Sequence, residues 1–179
     1  MDYKPLLELA RKTLEAHFSG EKLDTSKWDN FNKKQGVFVT LHKAGDLRGC
    51  IGFPMPVYEL KEAIVQAAKA AALNDPRFPR LDEDELSEVK IEISVLTVPK
   101  EIKAKDPLDL PSKVKVGEDG LIVKGLVRQG LLLPQVFTEY KCDAESALSM
   151  TCQKAGLADD EWKTGRVVVE KFQAKIVSE

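Results

Sequence analysis

The stretch GVFVTLHKAGDLRGCIGF, residues 36–53, predicts an antiparallel hairpin and thereby much of the fold. Apolar residues alternate with other residues in both halves, as expected of strands that bury one face. If both apolar sets face one core, Leu41 lies opposite Gly49, because a slip of one residue would turn a whole strand over. This parity requires a loop with an odd number of residues, such as 44–46.

The other face of this hairpin carries groups suited to chemistry. In the predicted register Thr40 lies opposite Cys50, and His42 lies opposite Arg48. A guanidinium near a cysteine favours the reactive thiolate, and a nearby histidine can carry the proton. The alternatives stay open: Cys50 can be a small buried apolar residue, and His42 a surface residue. Arg48 can pair with Asp46 or with a loop carboxylate.

Two glycines make the RGC motif, residues 48–50, unusual for a strand that only packs. Gly49 lies inside the motif and Gly52 follows it. Glycine in a strand lets another backbone or a ligand approach closely. The segment around 48–52 is therefore predicted to be a binding or catalytic site.

The remaining periodicities predict a mixed α+β fold rather than a doubly wound parallel sheet. Helices are predicted over about 3–18, 57–73, 134–140 and 143–155. Further strands are predicted over 89–98, within 120–133 and over 166–177. Strands and helices do not alternate regularly, so we expect a largely antiparallel sheet packed by helices. Asp82 with Glu85 three residues later predicts a capped helical turn.

Composition places the chain among folded proteins of ordinary charge. Its 179 residues carry a formal charge of −2, whereas nonspecific nucleic-acid binders usually have a basic excess. No apolar run approaches the roughly 20 residues needed to cross a bilayer, and no secretory signal is evident. Three cysteines without paired spacing predict reduced thiols in the cytoplasm. Two histidines predict no metal site, and no motif identifies a cofactor.

Five motifs occur in a fixed order along the chain: LRGCIG (47–52), DPRF (75–78), IEISVL (91–96), RQGLLLPQV (128–136) and CQKAGL (152–157). Together they resemble the AMMECR domain family, named for the AMME-syndrome chromosomal region, over nearly the whole chain. The chain is similar to the short prokaryotic members of that family. The resemblance implies one domain over 1–179, with a larger and a smaller lobe and a cleft between them.

The resemblance also implies partners, although it assigns no reaction. In prokaryotes the domain occurs beside, or fused with, a Memo-like domain related to extradiol dioxygenases, and with a radical-SAM protein. A shared pathway with such proteins is therefore an expectation from the family.

Polar residues in other segments are candidate companions of Cys50. Glu92 and Ser94 project from the nonapolar face of the strand 89–98. Arg128 precedes a predicted turn or strand, and arginines suit an anionic ligand because the guanidinium binds carboxylate or phosphate in a forked geometry. A structural ion pair between Glu92 and Arg128 is the alternative.

The loop 74–80 and the predicted helix 134–140 add three more candidates. Asp75 and Arg77 lie in NDPRFPR, whose two prolines predict a shaped loop. Gln135 follows Pro134 and is able to donate to a ligand. The alternatives are that Asp75 caps a helix end and that Gln135 caps its own loop. Cys142 and Cys152 are predicted to be packing residues.

These residues define two hypotheses of different class. In the first, a small anionic ligand binds in the cleft, with Cys50 as a reactive thiol, Glu92 or His42 as proton carrier and arginines as clamps. The remaining ligand-binding candidates are Arg48, Gly49, Gly52, Asp75, Arg77, Ser94, Arg128 and Gln135. In the second, the DLRGCIG segment is a noncatalytic docking surface for a Memo-like or radical-SAM protein.

Overall fold

The structure, a computed structural model, describes residues 2–179 and divides into two compact units. Unit 1 comprises residues up to Leu96 together with Lys175–Glu179, and unit 2 comprises Thr97–Ala174. The predicted cleft between two lobes stays a prediction. In the described part of the chain, no helix combines the length and the apolar character needed to span a membrane.

Unit 1 contains two helices and three complete strands of an antiparallel sheet. The helices are α1 (Pro5–Ser19) and α2 (Leu60–Leu73), and the strands are β1 (Val37–Lys43), β2 (Asp46–Phe53) and β3 (Val89–Leu96). β1 lies in the centre of this sheet, antiparallel to β2 on one side and to β3 on the other. The sheet therefore places the RGC motif on an edge strand.

The helices of unit 1 follow the predicted pattern with one change. α1 has Pro5 in its first turn, where the missing N–H is tolerated, and it ends at Gly20, whose φ is 72°. α2 begins at Leu60, three residues after the predicted start, and the Leu60 N–H, which has no partner within the helix, bonds to the carbonyl of Lys33. Its small alanines allow close packing, and its buried residues are Leu60, Ala63, Ile64, Ala67, Ala68, Ala71 and Ala72.

The hairpin of β1 and β2 has the predicted parity, but it achieves this with a bulge. Leu41 lies opposite Gly49, whereas His42 lies opposite Leu47, so Arg48 is an extra residue in β2. The turn itself contains only Ala44 and Gly45, at φ 53° and 90°. The predicted three-residue loop was therefore wrong, and so was the predicted pairing of His42 with Arg48. The extra residue that the parity requires is Arg48, which lies in β2 and not in the loop.

Unit 2 contains four strands, all paired antiparallel, and two helices. The strands are β4 (Lys100–Glu101), β5 (Asp119–Lys124), β6 (Gln129–Leu132) and β7 (Val168–Ser178), of which the last residues belong to unit 1. β5 pairs with both β6 and β7, and β4 pairs with β7. The helices are α3 (Pro134–Glu139) and α4 (Ala144–Lys154).

Each unit has its own apolar core. In unit 1 the core lies between β1–β3 and the two helices, and in unit 2 it includes Phe137, Leu148 and Trp162. Burial of such side chains is the main favourable contribution to folding. The predicted mixed α+β class with antiparallel strands is confirmed.

Candidate functional site

Three rows of side chains cross the face of the unit 1 sheet that is opposite its core, here called the polar face. The central row contains Cys50, Thr40 and Glu92, on β2, β1 and β3. The flanking rows are Gly52, Phe38 and Ser94 on one side and Leu47, His42 and Lys90 on the other. The prediction that Thr40 lies opposite Cys50 is confirmed.

The Cys50 thiol is half-buried and has a defined polar neighbour. The Thr40 hydroxyl donates a hydrogen bond to Sγ, with an oxygen–sulfur distance of 3.2 Å. Such a bond strengthens when the sulfur carries charge, because charge-assisted hydrogen bonds are the stronger ones. Cys50 thus lies outside the buried core, and the bond to Thr40 on β1 orients its thiol.

The backbone of Cys50 is held by an ion pair from the loop after α2. The Asp75 carboxylate accepts the Cys50 N–H at 2.8 Å, and the Arg77 guanidinium donates to the Cys50 carbonyl at 3.2 Å. Asp75 and Arg77 also bond to each other through two side-chain contacts, at 3.0 and 2.8 Å. The two groups together occupy the outward-facing backbone positions of Cys50, as a neighbouring strand would do.

The charges of Asp75 and Arg77 stabilise their ion pair. Asp75 is only 4% exposed. The Arg77 guanidinium lowers the pKa of the Asp75 carboxyl far below its usual value, assisted by the N–H groups of Cys50 and Arg77 and opposed by burial. Asp75 therefore stays ionised at neutral pH. The alternative that Asp75 caps the helix end is wrong. Asn74 is the C-cap residue of α2, and the Asp75 carboxylate accepts the Cys50 N–H of β2.

Arg48 is bound within the chain by four hydrogen bonds. Its Nε and Nη2 donate to the two carboxylate oxygens of Glu85, at 3.1 and 2.7 Å. Nη1 and Nη2 donate further to the carbonyls of Pro79 and Arg80, at 2.9 and 3.2 Å. Arg48 thus adopts the predicted alternative of pairing with a loop carboxylate, and the bulge directs its side chain to that loop. Its role as a ligand clamp stays a prediction.

Glu85 connects this arginine to a helical turn, the 3₁₀ segment Glu83–Ser87. Its carboxylate accepts the Asp82 N–H at 3.1 Å, as the capping pattern predicted, and also the Lys43 ammonium at 3.0 Å. Arg48, with help from Lys43 and the Asp82 N–H, lowers the pKa of Glu85 to about 2. The pairing of Glu85 with Arg48 did not follow from the sequence, although the spacing of Asp82 and Glu85 indicated a fixed carboxylate here.

Both glycines of the motif are explained by packing within the chain. A Cβ on Gly49 would overlap the carbonyl oxygen of Ala71 in α2, and one on Gly52 would overlap the Val37 carbonyl and the Phe38 ring. Gly49 therefore lets α2 approach the sheet, which is the predicted approach of another backbone. The predicted ligand contacts of both glycines stay predictions.

The other predicted residues of unit 1 lie on the polar face at different depths. His42 and Glu92 are half-buried, and Ser94 is 4% exposed. Arg77 is the most open of the group, with 54% of its side chain exposed. The structure thus brings Cys50 together with Thr40, Glu92, Asp75 and Arg77 in one unit.

The predicted residues of unit 2 lie near the ends of its elements. Arg128 is exposed beside the turn between β5 and β6, and its Nη1 donates to the Gly156 carbonyl at 2.7 Å. Gln135 is exposed in the first turn of α3. Their predicted ligand contacts and the predicted pairing of Glu92 with Arg128 stay predictions.

The two other cysteines behave differently from Cys50. Cys152 lies in the core of unit 2, where burial raises the pKa of its thiol. Cys142 is half-buried and packs against the same core. The prediction that both are packing residues is confirmed. Residues 2–179 contain no group of three or more His, Cys, Asp or Glu side chains placed to hold a metal ion.

This arrangement defines a class of protein: a two-unit α+β domain with a cysteine fixed on the edge strand of an antiparallel sheet. The model of the AMMECR1 family matches residues 7–177. The chain therefore belongs to the AMMECR1 family, as the five sequence motifs predicted.

Archaeal relatives and a solved structure agree with this assignment. Protein SSO0193 of Saccharolobus solfataricus is 51% identical, and the match covers 97% of this chain and 80% of that protein. A protein of Methanothermobacter thermautotrophicus is 46% identical over 98% of this chain and 93% of the relative. The crystal structure of the uncharacterised protein PH0010 from Pyrococcus horikoshii is similar with a TM-score of 0.85, 43% identity and coverage of 97% and 89% of the two chains.

Proposed function

We propose that the protein binds a small anionic molecule beside Cys50 and that this thiol is the reactive group of the site. The observation that carries the proposal is the fixation of one half-buried cysteine from three directions. Thr40 bonds the sulfur, Asp75 bonds the backbone N–H, and Arg77 bonds the carbonyl. A cysteine that only fills space does not need such support, whereas a reacting group must be held in a fixed geometry.

The anionic class of the ligand is based on Arg77. Its hydrogen bonds to Asp75 and Cys50 use Nε and Nη2, and Nη1 takes no part in them. Because more than half of the side chain is exposed, a carboxylate or phosphate can approach Nη1 from solvent. Glu92, in the same row as Cys50, and His42, in the next row, are the proposed proton acceptors.

Alkylation with a charged and a neutral reagent tests both parts of the proposal. The Cys50 thiol first loses its proton, to Glu92, His42 or solvent, and the thiolate then displaces iodide from iodoacetate or iodoacetamide as a carbon–sulfur bond forms. We expect the ratio of the iodoacetate rate to the iodoacetamide rate to be higher at Cys50 than at Cys142, which serves as an internal reference. Mass spectrometry of peptides gives both rates in one sample.

Two arginine variants in the same loop separate ligand attraction from general charge. Arg77→Gln is expected to lower the rate ratio at Cys50, and Arg80→Gln, an exposed neighbour, to leave it unchanged. Equal ratios at Cys50 and Cys142 in the wild type would refute an anion site. The docking role of the DLRGCIG segment for a Memo-like or radical-SAM protein stays an alternative prediction.

A further inference from the structure

The turn between β5 and β6 exposes two adjacent aliphatic side chains. Leu126 is 102% and Val127 is 93% exposed, the highest values among the large apolar residues of the described chain. The turn is closed by a hydrogen bond from the Gly125 N–H to the Arg128 carbonyl at 2.8 Å. Turns favour Gly, Asn, Asp, Ser and Pro for conformational reasons, so neither aliphatic residue is explained by turn formation.

The exposed pair borders a groove on the surface of unit 2. Its volume is about 310 Å³, and its lining includes Leu126, Val127, Arg128, Leu157, Arg166 and Val167. Single exposed apolar residues are common, but a contiguous apolar patch with a polar rim is typical of an interaction site. The groove is concave, which suits an inserted side chain better than the flat surface of a bilayer.

The charges around the groove favour an acidic occupant. Arg166 pairs with Glu161, the one acidic side chain in the lining, with Nε and Oε1 3.1 Å apart. The Arg128 contact, in contrast, is to the neutral carbonyl of Gly156. Within the lining, two arginines against one glutamate leave one excess positive charge. A carboxylate placed there would form a charge-assisted, forked hydrogen bond with Arg128.

We infer that this groove, together with Leu126 and Val127, is a docking site for an extended segment of another protein. The segment carries an aliphatic or aromatic side chain next to an aspartate or glutamate. The apolar side chain fills the groove against Leu157 and Val167, and the carboxylate binds Arg128. Anchoring by one apolar residue with a neighbouring charged contact is a common mode of peptide recognition.

Selection from a phage-displayed library of random dodecapeptides tests this site. The full chain is the bait, and fluorescence anisotropy then measures the affinity of the selected peptides for the wild type and three variants. We expect selected peptides to combine an apolar residue with a neighbouring Asp or Glu. Leu126→Ser with Val127→Ser should weaken their binding at least about tenfold, and Arg128→Gln should weaken it as well.

The matched control changes two other exposed aliphatic residues of unit 2. Val98→Ser with Leu108→Ser, at positions 58% and 62% exposed, should leave the affinity unchanged. Circular dichroism confirms that each variant is folded. The inference fails if no peptides are enriched, if the enriched peptides are basic, or if they bind the double variant of Leu126 and Val127 as tightly as the wild type. Sedimentation with phosphatidylserine vesicles that depends on Leu126 and Val127 would instead assign this turn to a membrane surface and would also overturn the inference.

Discussion

At the scale of single residues, two hydrogen bonds join the Glu85 carboxylate to the Arg48 guanidinium, at 3.1 and 2.7 Å. The side chains are 18% and 13% exposed, so solvent weakens this pair less than an exposed one. Because Arg48 is the extra residue of the bulge, the pair also fixes the conformation of β2 just before Cys50.

Glu85→Gln is therefore expected to lower the free energy of unfolding at pH 7 by about 2 kcal/mol, since hydrogen bonds to charged groups contribute in this range. The folded-state pKa of Glu85, about 2, lies below its ordinary value of 4.5. Its stabilising contribution is thus complete above about pH 4.5 and is lost as the pH falls towards 2. Urea unfolding of wild type and variant between pH 3 and pH 7 measures the difference.

Glu88→Gln is the control, because Glu88 pairs with Lys43 in the same cluster but is 59% exposed. We expect an effect below about 1 kcal/mol for this surface pair. A difference between wild type and Glu85→Gln that does not shrink as the pH falls would show that the ion pair is not its cause.

Residue-level predictions from sequence succeeded where alternation alone was informative. Thr40 opposite Cys50 follows from the period of two, and the structure has this pair. The partner of Arg48 did not follow, because parity requires one extra residue without indicating whether the loop or the strand contains it. The contacts of Asp75 with Cys50 depend on the path of the loop after α2, which local pattern does not determine.

At the scale of elements, β2 packs on α2 through Gly49. Gly49→Ala would place a methyl group against the Ala71 carbonyl, a backbone atom that cannot move aside without shifting the helix. We expect a loss of about 3 kcal/mol in the free energy of unfolding, at the upper end of overpacking effects. Urea denaturation provides the measurement.

Gly125→Ala is the matched control for this substitution. Its Cβ would meet Leu157 at 3.4 Å, an ordinary contact, so the change should stay within about 1 kcal/mol of the wild type. Equal stability of Gly49→Ala and the wild type would contradict the close approach of α2 to β2.

A substitution in the turn between β1 and β2 is expected to stabilise the protein. Ala44 has a φ of 53° and precedes Gly45, at 90°, so both residues adopt left-handed conformations. Asn tolerates this region better than Ala and is favoured before Gly in two-residue hairpin turns. Ala44→Asn should raise the free energy of unfolding by about 0.5–1 kcal/mol, as measured by urea denaturation.

Ala44→Ser is the control at the same position and should bring no gain, because serine does not share the tolerance of asparagine for a positive φ. Destabilisation by Ala44→Asn would argue against the two-residue turn, and with it against the bulge at Arg48. Periodicity predicted the other helices and the longer strands, but not β4, because two residues are too short to show an alternating pattern. α2 begins at Leu60, three residues after the predicted start.

At the scale of the whole molecule, the chain consists of two units with separate cores, and each unit contains antiparallel strands. Five ordered motifs were enough to predict the family. Two of them contain residues with a local structural role: Gly49 allows α2 to pack closely on β2, and Asp75 accepts the Cys50 N–H. The arginines predicted a small anionic ligand, and this stays a prediction, because a binding site depends on how side chains from separate segments meet.

Saturation of the Cys50 reaction with iodoacetate tests most directly whether an anion binds before the thiol reacts. We predict that the wild-type rate approaches a plateau as the iodoacetate concentration rises, and that Arg77→Gln gives a linear dependence over the same range. Cys142 in the same samples should react linearly. A linear dependence at wild-type Cys50, with a slope no greater than that of Cys142, would contradict an anion site beside this thiol.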